Sequence, residues 1–268
     1  MLCTLFTKHG DTIYVGAILL FGIAHLCGSW LAPCPHVRTD TSGLVLEDMV
    51  AALNVSKPKF LYVVPTPFKT KRANHPRKNA AKLVKLAKNS SFLILADEVY
   101  RVLSYTQAPP KSFGAYIDSR TCDFAGVILE DPCPRFAAGV AANSPVYCTR
   151  NHLMRHVRQR GGMNPFPSTI VRSLIGSGLD RNLSALLDVL GKRVRVMSEL
   201  LQKHIPQAQF ILHMADIFWL HVHGMDAKNC AKAQAHKVDL RHGILFSSAN
   251  GLNEHFRLSV SHCRRGSY

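Results

Sequence analysis

Apolar residues along the chain fall into two kinds of run. The first kind is short and unbroken: Phe60-Leu-Tyr-Val-Val64, Phe92-Leu-Ile-Leu-Ala96 and Gly126-Val-Ile-Leu129. Such continuity suits strands covered on both faces, as in a parallel sheet between helices. Thr12-Ile-Tyr-Val15 is a shorter candidate of the same kind. The second kind repeats at helical spacing, in Glu47–Leu53 and again in Asn79–Leu86. Strands alternating with helices predict right-handed crossovers and a mainly parallel sheet.

After about Asn151 the pattern changes. Pro167–Gly176 predicts a helix, and Leu183–His204 a long one that Pro206 helps to end. Phe210-Ile-Leu212 and Ile217–Val222 read as strands, and the alternating Phe256–Val260 as a strand at the edge of a small sheet. The expected organisation is a partial large α/β domain over 1–150, a helical connection over 151–190, and a small α+β lobe over 191–268.

Composition narrows the function classes. The 268 residues are 47% apolar and 19% charged, enough to bury a core and too few charges for extended disorder. The longest apolar run, Ala17–Cys27, is interrupted by Gly22 and His25 and is too short to span a bilayer. Met1–Lys8 lacks the basic-then-apolar order of a secretory leader. A cytoplasmic protein without a membrane partner is the expectation. None of the eight cysteines has C-x-x-C spacing, so they read as reduced thiols. His152 and His156 share a possible helix face without the glutamate a zincin needs, so no metal is expected.

The net charge of +16 is the one extreme value. No acidic residue falls between Asp48 and Asp97, whereas Lys57, Lys59, Lys69, Lys71, Arg72, Arg77, Lys78, Lys82, Lys85 and Lys88 do. An anion- or nucleic-acid-binding patch is one reading. A solvated helix face is the preferred one, because Lys78, Lys82 and Lys85 recur around Leu83, Val84 and Leu86 with no aromatic interleaving. Nucleic acid is therefore not an expected partner.

Asp97 is the first candidate for chemistry. It closes five apolar residues at a predicted strand's carboxyl end, where parallel sheets bind ligands. A buried carboxylate there needs a cationic or hydrogen-bonding partner. The structural alternative is an N-cap for the turn Glu98–Val102.

With Asp97 in view, five segments in order resemble class I/II, fold type I aminotransferases, which depend on pyridoxal phosphate (PLP). They are Lys57–Thr66, Phe92–Tyr100 with its Ala-Asp-Glu-Val-Tyr, Gly161-Gly-Met-Asn-Pro-Phe166, Gly243-Ile-Leu-Phe246 and Phe256-Arg-Leu-Ser259. The nearest likeness is to the 2-aminoadipate, aromatic and valine–pyruvate transaminases. The resemblance implies a PLP-transferase fold type I, amino-acid and 2-oxo-acid substrates, and a dimer. It also implies roles: Asp97 beneath the pyridine nitrogen, Tyr100 on the ring hydroxyl, and Arg257 on the substrate α-carboxylate. A carboxylate keeps the ring nitrogen protonated, and a guanidinium offers a planar, always-charged fork.

The resemblance breaks at the lysine-bearing loop. The family pattern, roughly Leu-Gly-Ser-Phe-Ser-Lys-Ile-Phe-Ala-Pro-Gly-x-Arg, meets Leu129-Glu-Asp-Pro-Cys-Pro-Arg-Phe-Ala-Ala-Gly-Val-Ala141 without a gap. Pro134 stands at the Schiff-base lysine and Ala141 at the phosphate-binding arginine. Asp131 and Cys133 replace two serines, and Arg135 stays protonated and forms no imine. The Asn-Pro-Thr-Gly turn and the family's N-terminal phosphate loop are also missing, so an N-terminally incomplete member is expected. The expected activity is an impaired aminotransferase in which PLP is not covalently held. The rivals are a non-catalytic module pairing with an intact homologue and a basic anion binder.

Overall fold

The computed structural model describes residues 7–16, 35–40, 43–64, 76–97, 103, 113–116, 127–130, 140–142, 169–170, 172–173, 177–214, 216–247 and 251–261. Its first layer is a six-stranded sheet. The strands are β1 (Tyr14–Gly16), β2 (His36–Val37), β5 (Phe60–Val63), β6 (Leu93–Asp97), β7 (Val127–Glu130) and β8 (Val140–Ala142). Their order is β2-β1-β5-β6-β7-β8. Every pairing is parallel except the last, β7 with β8. Between β2 and the first helix, β3 (Thr39–Asp40) and β4 (Gly43–Leu44) form a small antiparallel pair.

The unbroken apolar runs became the central strands. All four residues of β5 are buried, as are the last four of β6. Helix α1 (Leu46–Val55) opens with Glu47 and Asp48, where negative charge offsets the positive end of the helix dipole. Its Met49 is fully buried. The Tyr14 hydroxyl lies 2.7 Å from the Ala52 carbonyl and 2.8 Å from the Ser56 carbonyl, tying β1 to the end of α1. Helix α2 (Pro76–Ser90) starts on a proline, which fits a first turn because that turn leaves its N–H groups unpaired. Leu83 and Ala87 pack with Tyr14, Leu61, Phe92 and Ile94 in one core. Lys82, Lys85 and Lys88 are exposed on the opposite face. Part of the basic stretch is thus the solvated side of an amphipathic helix.

The second layer is an antiparallel sheet with its own core. Helix α3 (Leu179–His204) precedes β9 (Gln209–Met214) and β10 (Ile217–His221). Helix α4 (Ala227–Ala235) follows, begun by Asp226 and Asn229 in a reciprocal capping box. Then come β11 (Leu240–His242), a 3₁₀ turn over Gly243–Phe246, and β12 (His255–Ser259). The order is β11-β12-β10-β9. The strand expected at the edge, β12, is therefore interior. The outer place belongs to β11, whose three residues Leu-Arg-His carry no alternating apolar signal. Val194 and Leu201 of α3 pack against Phe218, Leu220 and Phe256 on one face of this sheet. Helix α3 begins four residues earlier than its periodicity predicts, because Asp180, Arg181 and Asn182 extend it on exposed positions. Most of the expected helix over 167–176 lies outside the described residues. No helix among the described residues is long and apolar enough to cross a membrane.

Candidate functional site

Asp97 ends β6 and is only 5% exposed. Its environment follows from strand register. Tyr62 pairs with Leu95 across β5 and β6. Residues two apart on a strand share a face, so Tyr62, Leu95 and Asp97 lie on one side of the sheet. The Tyr62 hydroxyl accordingly donates to Asp97 Oδ2 at 2.8 Å. Tyr62 is itself buried, at 2% exposure. A neutral phenol orients a carboxylate and lowers the cost of burying it without cancelling its charge. The site therefore offers a fixed acceptor at the carboxyl end of a parallel strand, where such sheets bind ligands.

On the other side, Asp97 pairs with Leu129 of β7, and Leu129 with Ala141 of β8. Position 141 is therefore in register with Asp97 two strands away, roughly 10 Å at the usual strand spacing. An arginine at this position could reach across the end of the sheet; the alanine brings no charge. Tyr100, Pro134, Asp131, Cys133 and Arg135 lie outside the described residues.

Arg257 stands in the second sheet, at the centre of β12, and is half-buried. Its neighbours in register are Trp219 of β10 and Arg241 of β11. These three occupy the sheet face opposite the α3 core, because Phe256 and Leu258 take the core side. The Arg257 guanidinium carbon lies 5.2 Å from the centre of the Phe246 ring. Trp219 meets Phe246 edge-on, with centroids 5.8 Å apart and an interplanar angle of 86°. The aromatic row continues to His255, 5.9 Å from Trp219, and then to His221, stacked on His255 at 4.6 Å.

A carboxylate closes that row. Glu254 accepts from the Gly224 N–H at 2.8 Å and lies 3.1 Å from His223 Nδ1 and 3.4 Å from His221 Nε2. The Gly224 bond first, and the His223 bond next, hold its carboxyl below the usual glutamate value. Burial pushes the His255 imidazole below the usual histidine value; His221 adds to that and Glu254 opposes it. Among the described residues, no group of three His, Cys, Asp or Glu side chains could hold a metal ion.

The structure thus joins Asp97 to Tyr62 in one sheet, and Arg257 to Phe246 and Trp219 in the other. Sequence reasoning missed both supporting aromatics. Tyr62 carried a usable signal, since a tyrosine inside an unbroken apolar run must satisfy its hydroxyl somewhere. Phe246 lay in one of the five resembling segments, but nothing in that segment tied it to Arg257.

No protein-family model and no curated protein sequence matches the chain. Solved structures do. The multiple substrate aminotransferase of Thermococcus profundus superposes with a TM-score of 0.82 at 20% identity, over 96% of this chain and 66% of that one. LysN, the alpha-aminoadipate aminotransferase of Thermus thermophilus, gives 0.81 at 17% identity, over 96% and 68%. Kynurenine aminotransferase of Pyrococcus horikoshii gives 0.79 at 18% identity, over 97% and 67%. The chain spans about two thirds of the length of these proteins. Its fold is that of fold type I aminotransferases, with part of the large domain and a C-terminal α+β sheet.

Proposed function

We propose that this chain is a PLP-dependent aminotransferase-type protein that holds the cofactor without a covalent bond and transaminates weakly or not at all. The observation that carries the reading is Asp97, buried at the carboxyl end of β6 with Tyr62 donating to one of its oxygens. That donor set fits one part of the cofactor well. A fixed, buried carboxylate is the partner a pyridinium N–H requires, and it favours the protonated ring. The resemblance supports Tyr100 as the donor to the ring hydroxyl and Arg257 as the clamp for the α-carboxylate of an amino acid or 2-oxo acid. When bound, PLP supplies an electron sink for a carbanion at the substrate α-carbon.

The sequence between β7 and β8 does not fit covalent attachment. Residues 131–139 contain no lysine, and Pro134 has no nitrogen able to form an imine. Arg135 remains protonated and neither attacks an aldehyde nor shuttles a proton. Loss of a positioned general base alone costs about two to four orders of magnitude in rate. Binding and orientation are therefore the roles left to this chain's own residues.

The test is an absorbance titration of the full chain with PLP, followed by borohydride reduction and peptide mass spectrometry. Reversible saturation, with no stoichiometric pyridoxyl adduct on any lysine, is expected. A single lysine modified in proportion to bound cofactor would overturn the non-covalent reading, and absence of saturable binding would overturn the cofactor assignment.

A further inference from the structure

The geometry points to Phe246 as the residue that positions the Arg257 guanidinium for carboxylate binding. The inference rests on the proposed role of Arg257 and adds to it the device that makes the side chain usable.

An arginine on a strand has a long, flexible side chain that loses substantial rotamer freedom when its fork is fixed. A two-point grip on a carboxylate demands that the fork be held within about half an ångström and 10–20°. Three other described arginines, Arg241, Arg193 and Arg38, are held through their N–H groups. Arg241, beside Arg257 on the same sheet face, is held by Asp239 at 2.8 Å. Arg193 donates to the carbonyls of Val260 and Ser261 at 3.2 and 2.9 Å. Arg38 donates to both oxygens of Asp48. Arg257 differs: among the described residues its side-chain partner is the Phe246 ring, 5.2 Å from the guanidinium carbon.

That difference has a chemical consequence. A ring face attracts the flat side of a guanidinium through its quadrupole and leaves the N–H groups along the edge available. An acidic partner would have used those same donors. Phe246 therefore fixes the group while keeping its fork open for a carboxylate.

The ring is built to stay in place. Phe246 is 4% exposed and Trp219, edge-on against it, is 6% exposed. The turn that delivers it, Gly243–Phe246, sits hard against the approach to β12. A Cβ at Gly243 would lie 2.5 Å from the Leu252 carbonyl oxygen, 2.8 Å from that of His255 and 2.9 Å from the His255 Cβ. Two of these three are backbone atoms, which cannot swing aside. Glycine at 243 is what lets the turn close enough to slide the Phe246 ring beneath a side chain two residues beyond His255.

The test measures binding of 2-oxoglutarate to the full chain by calorimetry, with PLP present. Arg257→Leu reports on the underlying reading, and an unchanged affinity there removes the assignment of Arg257 itself. Phe246→Leu, which keeps an apolar side chain and discards the ring, should weaken binding roughly 3- to 30-fold. Phe246→Tyr, which restores the π face, should bind within about twofold of the natural chain by the same reasoning. A loss with Arg257→Leu but none with Phe246→Leu overturns the inference and leaves the reading of Arg257 standing. Should Phe246→Leu fail to fold, replacement of Phe246 by mono-, di- and trifluorophenylalanine keeps the shape and drains the ring face stepwise. Affinity falling with each fluorine is expected, and a flat series overturns the inference.

Discussion

Tyr62→Phe removes a single oxygen from the interior and leaves every apolar contact of β5 in place. The lost bond joins a buried phenol to a buried carboxylate at 2.8 Å. Hydrogen bonds to charged groups are worth about 1.5–3 kcal/mol, so this variant should unfold at lower denaturant by about that free energy. Equilibrium urea unfolding checks it, and an unchanged midpoint would mean that Tyr62 does not support Asp97. At this scale the sequence was partly legible. Asp97 stood out because five apolar residues end on a charge, a pattern with few physical explanations. Tyr62 did not, because a tyrosine in an apolar run counts as apolar until its partner is known, and that partner is 35 residues away. The contact of Phe246 with Arg257 was unreadable for the same reason, although Gly243–Phe246 stood out as a segment: it depends on where a 3₁₀ turn lies relative to a later strand.

The face of the C-terminal sheet opposite α3 carries two titratable groups, His255 and Glu254, that the fold holds below their ordinary values. His255 on β12 stacks on His221 of β10, and Glu254 faces His221 and His223. Burial chiefly, then His221, holds His255 below its ordinary value of 6.5. The unfolded chain therefore takes up this proton before the folded one does. Stability from His255 is full above about pH 6.5 and is lost as pH falls from there toward the folded value. Glu254 titrates lower, since the Gly224 and His223 bonds hold it beneath its ordinary 4.5. Its contribution is present above that value and is lost on further acidification through the folded value. Unfolding midpoints followed from about pH 8 to about pH 3 should fall in two stages. His255→Asn should flatten the upper stage and Glu254→Gln the lower, and an upper stage that survives His255→Asn would remove the assignment. Legibility varied from element to element here too. Long periodic segments such as α3 and the unbroken strands β5 and β6 were readable within a few residues. The three-residue β11 was not, and missing it placed β12 at an edge it does not occupy.

At the scale of the whole chain, two sheets with separate cores carry the two halves of the proposed chemistry, Asp97 in one and Arg257 in the other. The net charge of +16 does not require an acidic macromolecular partner to explain all of it, because Lys82, Lys85 and Lys88 are solvent-facing residues of an amphipathic helix. The parallel order of the large sheet could be read from the alternation of strands and helices, but the antiparallel β8 could not. Three residues, Val-Ala-Ala, give no indication of direction; the register of Ile128 with Ala142, Leu129 with Ala141 and Glu130 with Val140 fixes it. What matters most at this scale is whether the carboxyl end of the sheet receives a charged heterocycle. The most direct measurement is the nitrogen-15 chemical shift of PLP labelled at its ring nitrogen, bound to the natural chain and to Asp97→Asn. A protonated pyridine nitrogen with the natural chain and an unprotonated one with the variant is the expected result. An unprotonated nitrogen in both, or a protonated one that the substitution leaves unchanged, would contradict the account.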